Sequence, residues 1–440
     1  MRSKKQGDRS MMSHSDNADV IIVGGGMVGL ALACALRNTG LQIVVIERGE
    51  PQVRKSLGRD CRVSAIVRGN VRILEGLGVW KYLKDNASPM RQMRIWDNQE
   101  AGGIRFDAAE IGEDALGFLI ENSCTQRAMH KAMLESDDVE FCCPAEISAM
   151  EWQQDQVTVK LSDGRVLNTP LIVGADGGRS WVRGQAAIDC WQRDYKQKGI
   201  VATVRPENPH RGNAFQRFLP TGPLAVLPMT DNLCSIVWSA ENDEADRLMD
   251  MDDDTFLEAL NLTFGPILGR ISEAGDRAAF PLKGQLAKHF VRERVALVGD
   301  AAHCIHPLAG LGVNLGLRDA MVLAQEIVDA KRFDEDWGEL SVLDRYMKQR
   351  LPDVLSIMGS MEGFHQIFTN SFPGLKEIRG LGMRLMGNSG AIKQLLMRNS
   401  TGLSLPVPKQ ISYSSLFTNP AYSSIVRLKF LHWLKNGVKT

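Results

Sequence analysis

The pattern of apolar residues predicts two buried strands joined by a helix near the start of the chain. Val20–Val23 is a continuous run of β-branched residues, typical of a parallel strand that is buried on both faces. A glycine-rich turn, a helical stretch at residues 30–38 and a second apolar run at residues 42–46 follow it. The sequence therefore predicts a complete βαβ unit.

Further along the chain the apolar pattern changes period. Residues 156–168 alternate around a turn and predict a β-hairpin, and residues 170–174 form another buried strand. Short alternating runs between about 198 and 240 predict an antiparallel sheet. Residues 295–298 return to the parallel type and lead into a long helix near residues 315–331, and the chain is mostly helical from residue 343. These patterns predict an α/β protein with an antiparallel sheet set between parts of a Rossmann-like domain.

Composition excludes several classes of function. The 440 residues carry no formal net charge and have a pI of about 7.1, so no overall field attracts nucleic acid. No run of about 18 apolar residues occurs, so no bilayer-spanning segment is expected, and the polar first eighteen residues lack a secretory signal. Eight scattered cysteines without a CxxC pair predict reduced thiols in a cytosol-like compartment.

The first glycine-rich turn has the spacing of a dinucleotide-binding motif. Gly24, Gly26 and Gly29 lie between a strand and a helix, where they permit a tight turn, close approach of a pyrophosphate and close helix packing. Glu47 ends the second strand, where a carboxylate can accept hydrogen bonds from an adenosine ribose. The predicted cofactor contacts also include Val28 and Arg48. By itself this motif does not distinguish FAD from NAD.

Two later segments resolve that ambiguity in favour of FAD. Asp176 and Gly177 follow one buried strand, and Asp300 follows another. A carboxylate at a strand end forms charge-assisted hydrogen bonds with ribose hydroxyls. With these three motifs in this order, the sequence resembles the class A flavoprotein aromatic hydroxylases. The resemblance implies that all three motifs contact FAD or support its binding.

Other segments resemble the ubiquinone-biosynthesis hydroxylases within that class, and the resemblance covers roughly residues 17–405. Residues 60–65 match a D-x-R-x-x-A segment, residues 214–228 match a substrate-sheet signature, and residues 306–319 match a glycine-rich pattern. The resemblance implies that Arg62 lies near the flavin and that Arg127 contacts FAD.

One position departs from the family pattern in the glycine-rich loop. Leu311 occupies a place where the family usually has Gln, which removes a hydrogen-bonding side chain. Its neighbours Gly310, Gly312, Val313 and Asn314 are retained and are predicted to contact the cofactor through backbone N–H groups and the helix end. We therefore expect FAD binding to survive and substrate range or ring position to change.

The resemblance implies a fold and a reaction. The fold is an FAD-binding domain of the glutathione-reductase type with an interleaved antiparallel-sheet substrate domain and a helical C-terminal region. The reaction is hydroxylation of the aromatic ring of a polyprenyl phenol by FAD, NAD(P)H and O₂. The cofactor supplies the difficult chemistry, so no residue is assigned as catalytic. Arg217 and Phe218 are the predicted substrate contacts, and Asp300, His303 and His306 are not predicted to bind a metal.

The predicted domains follow from these patterns. Residues 1–18 form a flexible N-terminus, and residues 19–190 and 285–345 form the FAD-binding domain, with part of residues 85–120 joining the substrate domain. Residues 191–284 form the substrate-domain sheet, residues 346–405 the C-terminal helices, and residues 406–440 a basic tail.

The basic tail has the composition of a surface-binding helix. After Glu377 the chain has no acidic residue and nine basic ones. Drawn as a helix, residues 423–436 place Val426, Phe430, Trp433 and Leu434 on one side, which suits an anionic membrane surface, a partner subunit of a quinone-biosynthesis complex or the rest of this chain. A cytoplasmic location with peripheral contact at the inner membrane is favoured over the mitochondrial matrix.

Two other functions remain open from the sequence. A flavin-dependent reductase of prenyl chains shares the three flavin motifs, and a FAD-bound scaffold without turnover is compatible with Leu311. The substrate-sheet and glycine-rich segments favour the hydroxylase.

Overall fold

The chain folds as an α/β protein, as the sequence predicts. The computed structural model describes residues 17–50, 53–97, 103–305, 312–369 and 390–403. Gly310, Leu311, His306, most of the predicted N-terminal segment and the basic tail lie outside the described residues. The eight cysteines are free thiols, in agreement with the sequence analysis.

Nine α-helices are described within these ranges. They are α1 (Met27–Leu36), α2 (Arg68–Gly76), α3 (Asn122–Met133), α4 (Trp181–Gln185), α5 (Asn242–Asp250), α6 (Asp253–Phe264), α7 (Gly312–Arg332), α8 (Leu340–Thr369) and α9 (Gly390–Ser400).

The strands up to residue 174 include the βαβ unit and the hairpin that the sequence predicts. They are β1 (Val20–Val23), β2 (Ile43–Ile46), β3 (Lys55–Ser56), β4 (Arg59–Asp60), β5 (Val63–Val67), β6 (Ser88–Met90), β7 (Gln92–Trp96), β8 (Ile104–Asp107), β9 (Gly117–Glu121), β10 (Val139–Cys142), β11 (Ile147–Trp152), β12 (Val157–Leu161), β13 (Val166–Thr169) and β14 (Ile172–Gly174).

The later strands include the predicted antiparallel runs. They are β15 (Cys190–Pro206), β16 (Asn213–Leu219), β17 (Gly222–Pro228), β18 (Cys234–Glu241), β19 (Ile271–Ala274), β20 (Ala278–Ala287), β21 (Val291–Arg292), β22 (Val295–Leu297) and β23 (His303–Cys304).

A six-stranded sheet forms the centre of the first part of the molecule. Its order is β10-β2-β1-β14-β22-β21, and every pair is parallel except β22 with β21. The residues of β2 and β22 are fully buried, and helix α1 packs against α3 and α7. Burial on both faces explains why these strands consist of continuous branched apolar residues.

A second, larger sheet contains strands from two separated parts of the sequence. Its order is β23-β20-β15-β18-β17-β16-β7-β8, with β19 paired to β15. Helices α5 and α6 cover one face, where Phe256, Leu260 and Phe264 pack against Phe215 and Trp238. The opposite face packs near residue 214 against the small sheet β5-β9-β6. The described part of the chain contains no helix that is long and apolar enough to cross a membrane.

Candidate active site

Four neighbouring strands end at the same edge of the parallel sheet. In the register of this sheet, Val23 lies opposite both Ile46 and Gly174, and Gly174 lies opposite Leu297. The residues that follow these strand ends are Glu47, Gly24, Asp176 and Asp300, which belong to segments far apart in the sequence. The fold therefore brings the three glycine-rich and acidic motifs together at one edge.

The turn between β1 and α1 requires glycine at two positions. Gly24 has a φ of +111°, and a Cβ atom there would lie 2.4 Å from the Ala175 carbonyl oxygen. A Cβ atom at Gly29 would lie 2.0 Å from the Gly24 carbonyl oxygen, so a side chain would separate the helix from the turn.

Gly26 has a different role, because it borders open space. Outside its immediate neighbours, no atom of the described residues lies within 4 Å of the position that a Cβ atom would occupy. Gly26 is also the N-cap of α1, which has no capping side chain and no acidic residue in its first turn. Free N–H groups and the positive end of the helix dipole at an open cleft suit a pyrophosphate.

The Glu47 carboxylate is held in place by two backbone groups. Gly25 N donates to Oε2 at 2.7 Å, and Gly49 N donates to Oε1 at 3.1 Å. Each oxygen can accept a further hydrogen bond, as recognition of two ribose hydroxyls requires. The next residue, Arg48, is exposed.

Asp176 has one carboxylate oxygen with protein partners and one without. Oδ2 accepts from Trp181 N at 2.7 Å and from Val182 N at 3.1 Å, which fixes the side chain against α4. Oδ1 is buried and has no hydrogen-bond partner among the residues that the structure describes. A buried acceptor of this kind fits a hydroxyl or N–H donor of a bound cofactor. Gly177 supports the turn with a φ of +81°.

Arg183 joins the second motif to the third and was missed by the sequence analysis. Its buried guanidinium donates to the Gly178 carbonyl at 2.9 Å and to the Ala301 carbonyl at 2.8 Å. Its position in the first turn after the acidic motif is the only sequence signal, and that signal does not identify its distant partner.

Asp300 lies at the third strand end beside the start of α7. Its side chain is accessible to solvent but is surrounded by enough protein for desolvation to raise the pKa of its carboxyl. The nearby His303 lowers this pKa and the Asp319 carboxylate raises it, and the net shift is upward. A Cβ atom on Gly312 would lie 4.0 Å from Asp300 Oδ1, so the carboxylate and the helix start face the same space.

Val28 connects the first motif to the third by packing. Cβ atoms on Gly316 and Gly299 would lie 2.5 and 3.1 Å from Val28 Cγ2. Glycine at both positions lets α1, α7 and the turn after β22 approach each other closely. Val28 therefore packs between α7 and the turn after β22 and helps to position both.

Asn314 is predicted as a cofactor contact, but its side chain is bonded to protein. Its Oδ1 accepts from Val67 N and from Asn70 Nδ2, both at 3.0 Å, and its Nδ2 donates to the Ala65 carbonyl at 2.7 Å. The asparagine thus ties the first turn of α7 to β5 and α2. Val313 packs partly buried against the main core.

Arg62 and Arg127 are exposed, and Asp60 connects the segments that carry them. The Asp60 carboxylate is buried and accepts from Arg62 N and Ser123 N, both at 3.0 Å. Ser123 is in the first turn of α3, the helix that carries Arg127. Arg127 Nη2 donates to Cys124 Sγ at 3.1 Å.

The two predicted substrate residues lie on opposite faces of β16. The Arg217 guanidinium donates to the Thr263 carbonyl in α6, on the face that the two helices cover. Because adjacent side chains in a strand point to opposite faces, Phe218 faces the other side. That side carries Ala214, which packs on the small sheet containing β5. The structure therefore does not bring Arg217 and Phe218 together.

The face that carries Phe218 has further apolar residues, which the sequence analysis did not single out. Val237 on β18 lies opposite Val201 on β15 and opposite Ala225 on β17. Ala225 shares its face of the sheet with Leu227 on the same strand. All four are partly accessible to solvent rather than buried. Strand alternation is the signal that could have grouped them. Within the described ranges, no group of three or more His, Cys, Asp or Glu side chains could hold a metal ion.

Comparison with known proteins identifies the family. A family model described as an FAD binding domain matches residues 17–358. The ubiquinone hydroxylase UbiL of Rhodospirillum rubrum is 37% identical over 385 residues, covering 88% of this chain and 90% of that protein. The chain belongs to the FAD-dependent hydroxylases of this family. FAD is its cofactor, NAD(P)H is the electron donor of this class, and the enzyme is a monooxygenase.

Other relatives and solved structures agree with this family. The 3-demethoxyubiquinol 3-hydroxylase of Escherichia coli is 35% identical, with 88% of this chain and 98% of that protein covered. The mitochondrial ubiquinone biosynthesis monooxygenase COQ6 of Xenopus tropicalis is 32% identical, with coverage of 90% and 96%. The p-nitrophenol 4-monooxygenase PnpA of Pseudomonas putida shares the fold, with a TM-score of 0.73 at 19% identity over 89% of this chain and all of that one.

Proposed function

We propose that this hydroxylase acts on the aromatic ring of a polyprenyl phenol in ubiquinone biosynthesis. The observation that carries the proposal is that the fold forms two distinct surfaces. One is the sheet edge where Gly26, Glu47, Asp176 and Asp300 meet, and the other is the partly exposed apolar face around Phe218. Relatives named as ubiquinone hydroxylases support the substrate class.

The residues at the sheet edge are proposed to hold FAD. The N-terminus of α1 at Gly26 would bind the pyrophosphate, Glu47 a ribose, and Asp300 a hydroxyl of the flavin side. The unpartnered Oδ1 of Asp176 would accept a further hydrogen bond from the cofactor. Arg62 and Arg127 are proposed to contact FAD with their exposed guanidinium groups.

The reaction consumes one NAD(P)H, one O₂ and one proton for each phenol. FAD, when bound, takes two electrons from NAD(P)H and activates O₂. One oxygen atom replaces a ring hydrogen as a hydroxyl group, and the other leaves as water. The apolar side chains of Phe218, Ala225 and Val237 are proposed to orient the ring and to exclude water from it.

Phe218 is favoured over Arg217 as a substrate contact. The Arg217 guanidinium is engaged with the α6 carbonyl on the helix-covered face of the sheet, whereas Phe218 is partly accessible on the other face.

Contact with a membrane is proposed for the basic tail. A polyprenyl phenol would reside in a bilayer, so the enzyme would meet this substrate at a membrane surface. Drawn as a helix, the sequence of residues 423–436 would have an apolar and a basic side, which would suit an anionic lipid surface.

The experiment that tests the function measures NAD(P)H oxidation, O₂ uptake and product mass together. With ¹⁸O₂ and a polyprenyl phenol, we expect phenol-stimulated O₂ uptake and a product that carries one labelled oxygen atom. A product with two added hydrogens and no O₂ uptake would instead identify a prenyl-chain reductase. FAD binding without turnover of any phenol would identify a scaffold.

A further inference from the structure

A single buried carboxylate, that of Asp319, forms hydrogen bonds with the turn that contains Asp300. Asp319, on α7, is completely buried. Its Oδ2 accepts from Gly299 N at 3.0 Å and from His303 Nε2 at 2.6 Å. Gly299 and His303 are the two residues that flank the Asp300–Ala302 turn, so one oxygen atom fixes the turn at both ends.

The second oxygen of the same carboxylate binds a buried arginine. Arg350 Nε, on α8, donates to Asp319 Oδ1 at 2.7 Å. Burial alone would raise the pKa of Asp319, but His303 and Arg350 outweigh burial and hold that pKa well below its ordinary value. Asp319 is therefore an ionised acceptor, and its charge is compensated inside the protein.

Close packing keeps α7 against the turn. Gly316 lies one helical turn before Asp319, and a Cβ atom there would be 3.1 Å from Gly299 Cα. The same face of α7 thus provides the close approach at Gly316 and the carboxylate at Asp319.

The polar network continues from Arg350 to the N-terminal end of α7. Arg350 Nη1 donates to Asp353 Oδ2 at 2.6 Å, and Arg318 Nη1 lies 3.7 Å from the same oxygen. Arg318 Nε donates to Asn70 Oδ1 at 3.3 Å, and Asn70 Nδ2 donates to the Asn314 carbonyl at 2.8 Å. The network therefore reaches from the Asp300 turn to the first turn of α7.

We propose that Asp319 is a positioning residue for the flavin site: with Gly299, His303 and Arg350 it forms a clamp that holds the Asp300 carboxylate in the orientation that binds FAD. This inference rests on the proposed role of Asp300. Asp319 touches protein only and acts through the turn, because all of its partners are buried backbone or side-chain groups.

The test is a double-mutant cycle read out as the rate of FAD release from the loaded protein, followed by flavin fluorescence. In an otherwise unchanged chain, Asp319→Asn should speed release by about tenfold or more, and in the Asp300→Ala background by less than about twofold. Such a difference arises only if the two residues act through one another. Equal factors in both backgrounds would show that Asp319 supports the fold alone, and would overturn the inference.

Asp336→Asn is a matched control. Like Asp319, Asp336 pairs with a buried arginine, but this arginine is Arg294, at the start of β22, whereas Asp300 lies beyond the end of that strand. The substitution neutralises the carboxylate that pairs with the buried Arg294, whose Nη1 donates to Asp336 Oδ2 at 2.6 Å just before β22 begins. The control should lower the melting temperature and leave FAD release unchanged. Faster FAD release in the control by the same factor as in Asp319→Asn would also contradict the inference.

A second pair of variants covers the case in which Asp319→Asn does not fold. His303→Leu removes one arm of the clamp and should speed FAD release, whereas His303→Gln retains an N–H donor and should restore slow release. Identical release from these two variants would overturn the inference. If Asp300→Ala itself leaves FAD release unchanged, the assignment of Asp300 fails first, and Asp319 then has nothing to position. The hydroxylation reaction is tested separately, because FAD release requires no turnover.

Discussion

Gly26 separates cofactor binding from folding at the scale of a single residue. Because no atom of the described residues lies near its missing Cβ, Gly26→Val should leave the cofactor-free protein folded and fill the space proposed for the pyrophosphate. We expect loss of bound FAD, measured as flavin absorbance after purification, with a melting temperature close to that of the FAD-free parent.

A matched control for Gly26 is Gly359, an exposed position in α8 that also has no atom within 4 Å of a Cβ. Gly359→Ala should retain FAD and slightly stabilise the helix, by about 1 kcal/mol at most. Full FAD retention by Gly26→Val would show that the pyrophosphate does not bind at this turn.

The Asp300 carboxylate should strengthen FAD binding and lower the stability of the FAD-free protein. Its raised pKa means that ionisation disfavours the cofactor-free fold above the ordinary carboxyl pKa, and this cost disappears as the pH falls below about 4. Asp300→Asn should therefore raise the melting temperature of the FAD-free protein at pH 7, and the gain should shrink towards pH 4. FAD affinity should fall about 5- to 10-fold, since a charge-assisted bond becomes a neutral one.

Calorimetry across pH and a flavin titration check both parts of this expectation. A lower melting temperature for Asp300→Asn at pH 7 would show that the carboxylate stabilises the fold, which contradicts the sign derived from its surroundings.

At the residue scale, sequence could identify the motif residues but not their supports. Gly24, Glu47 and Asp300 each follow an apolar strand, and that local context predicts that they meet at one sheet edge. Arg183 has no comparable local signal, because its partner Ala301 is brought near only by tertiary packing. Asp319 ends the matched segment 306–319, but nothing in that segment shows that Arg350 is its partner.

At the scale of the element, β16 offers a test of which sheet face binds substrate. Phe218→Ala should lower kcat/KM for the phenol by about tenfold or more, because an apolar contact of the bound ring is lost. Arg217→Met should lower the melting temperature through the lost bond to the Thr263 carbonyl and leave kcat/KM nearly unchanged. Steady-state kinetics and thermal unfolding of both variants provide the measurement.

The reverse result, with Arg217→Met impairing phenol turnover and Phe218→Ala having no effect on it, would place the substrate on the helix-covered face. The alternation of side chains on a strand already separates these two residues, so the sequence could have excluded a shared cavity. Which of the two residues lies on the open face of the sheet depends on where α5 and α6 pack. No local sequence pattern contains that information.

At the scale of the whole molecule, the basic tail is proposed to direct the enzyme to its substrate. Deleting residues 423–440 should reduce binding to anionic vesicles and activity on a long-chain phenol, while activity on a short-chain soluble analogue stays near normal. Vesicle binding by the full chain should weaken with added salt, because salt screens attraction between exposed charges. Vesicle sedimentation and parallel assays with the two substrates test this expectation.

Equal loss of activity on both substrates, with vesicle binding unchanged, would assign the tail to folding or assembly.

The order of the parallel sheet also determines when the enzyme can acquire its cofactor during synthesis. Strand β1 ends at residue 23, its neighbour β14 at residue 174, and the next neighbour β22 only at residue 297. A chain still on the ribosome therefore has the glycine turn long before it has Asp300, and one edge of β14 stays open in the interval. Open apolar strand edges are prone to association with other chains. If Asp300 contacts FAD as proposed, FAD can complete its site only after residue 300 has been made, so a shortage of flavin would affect late rather than early stages of translation.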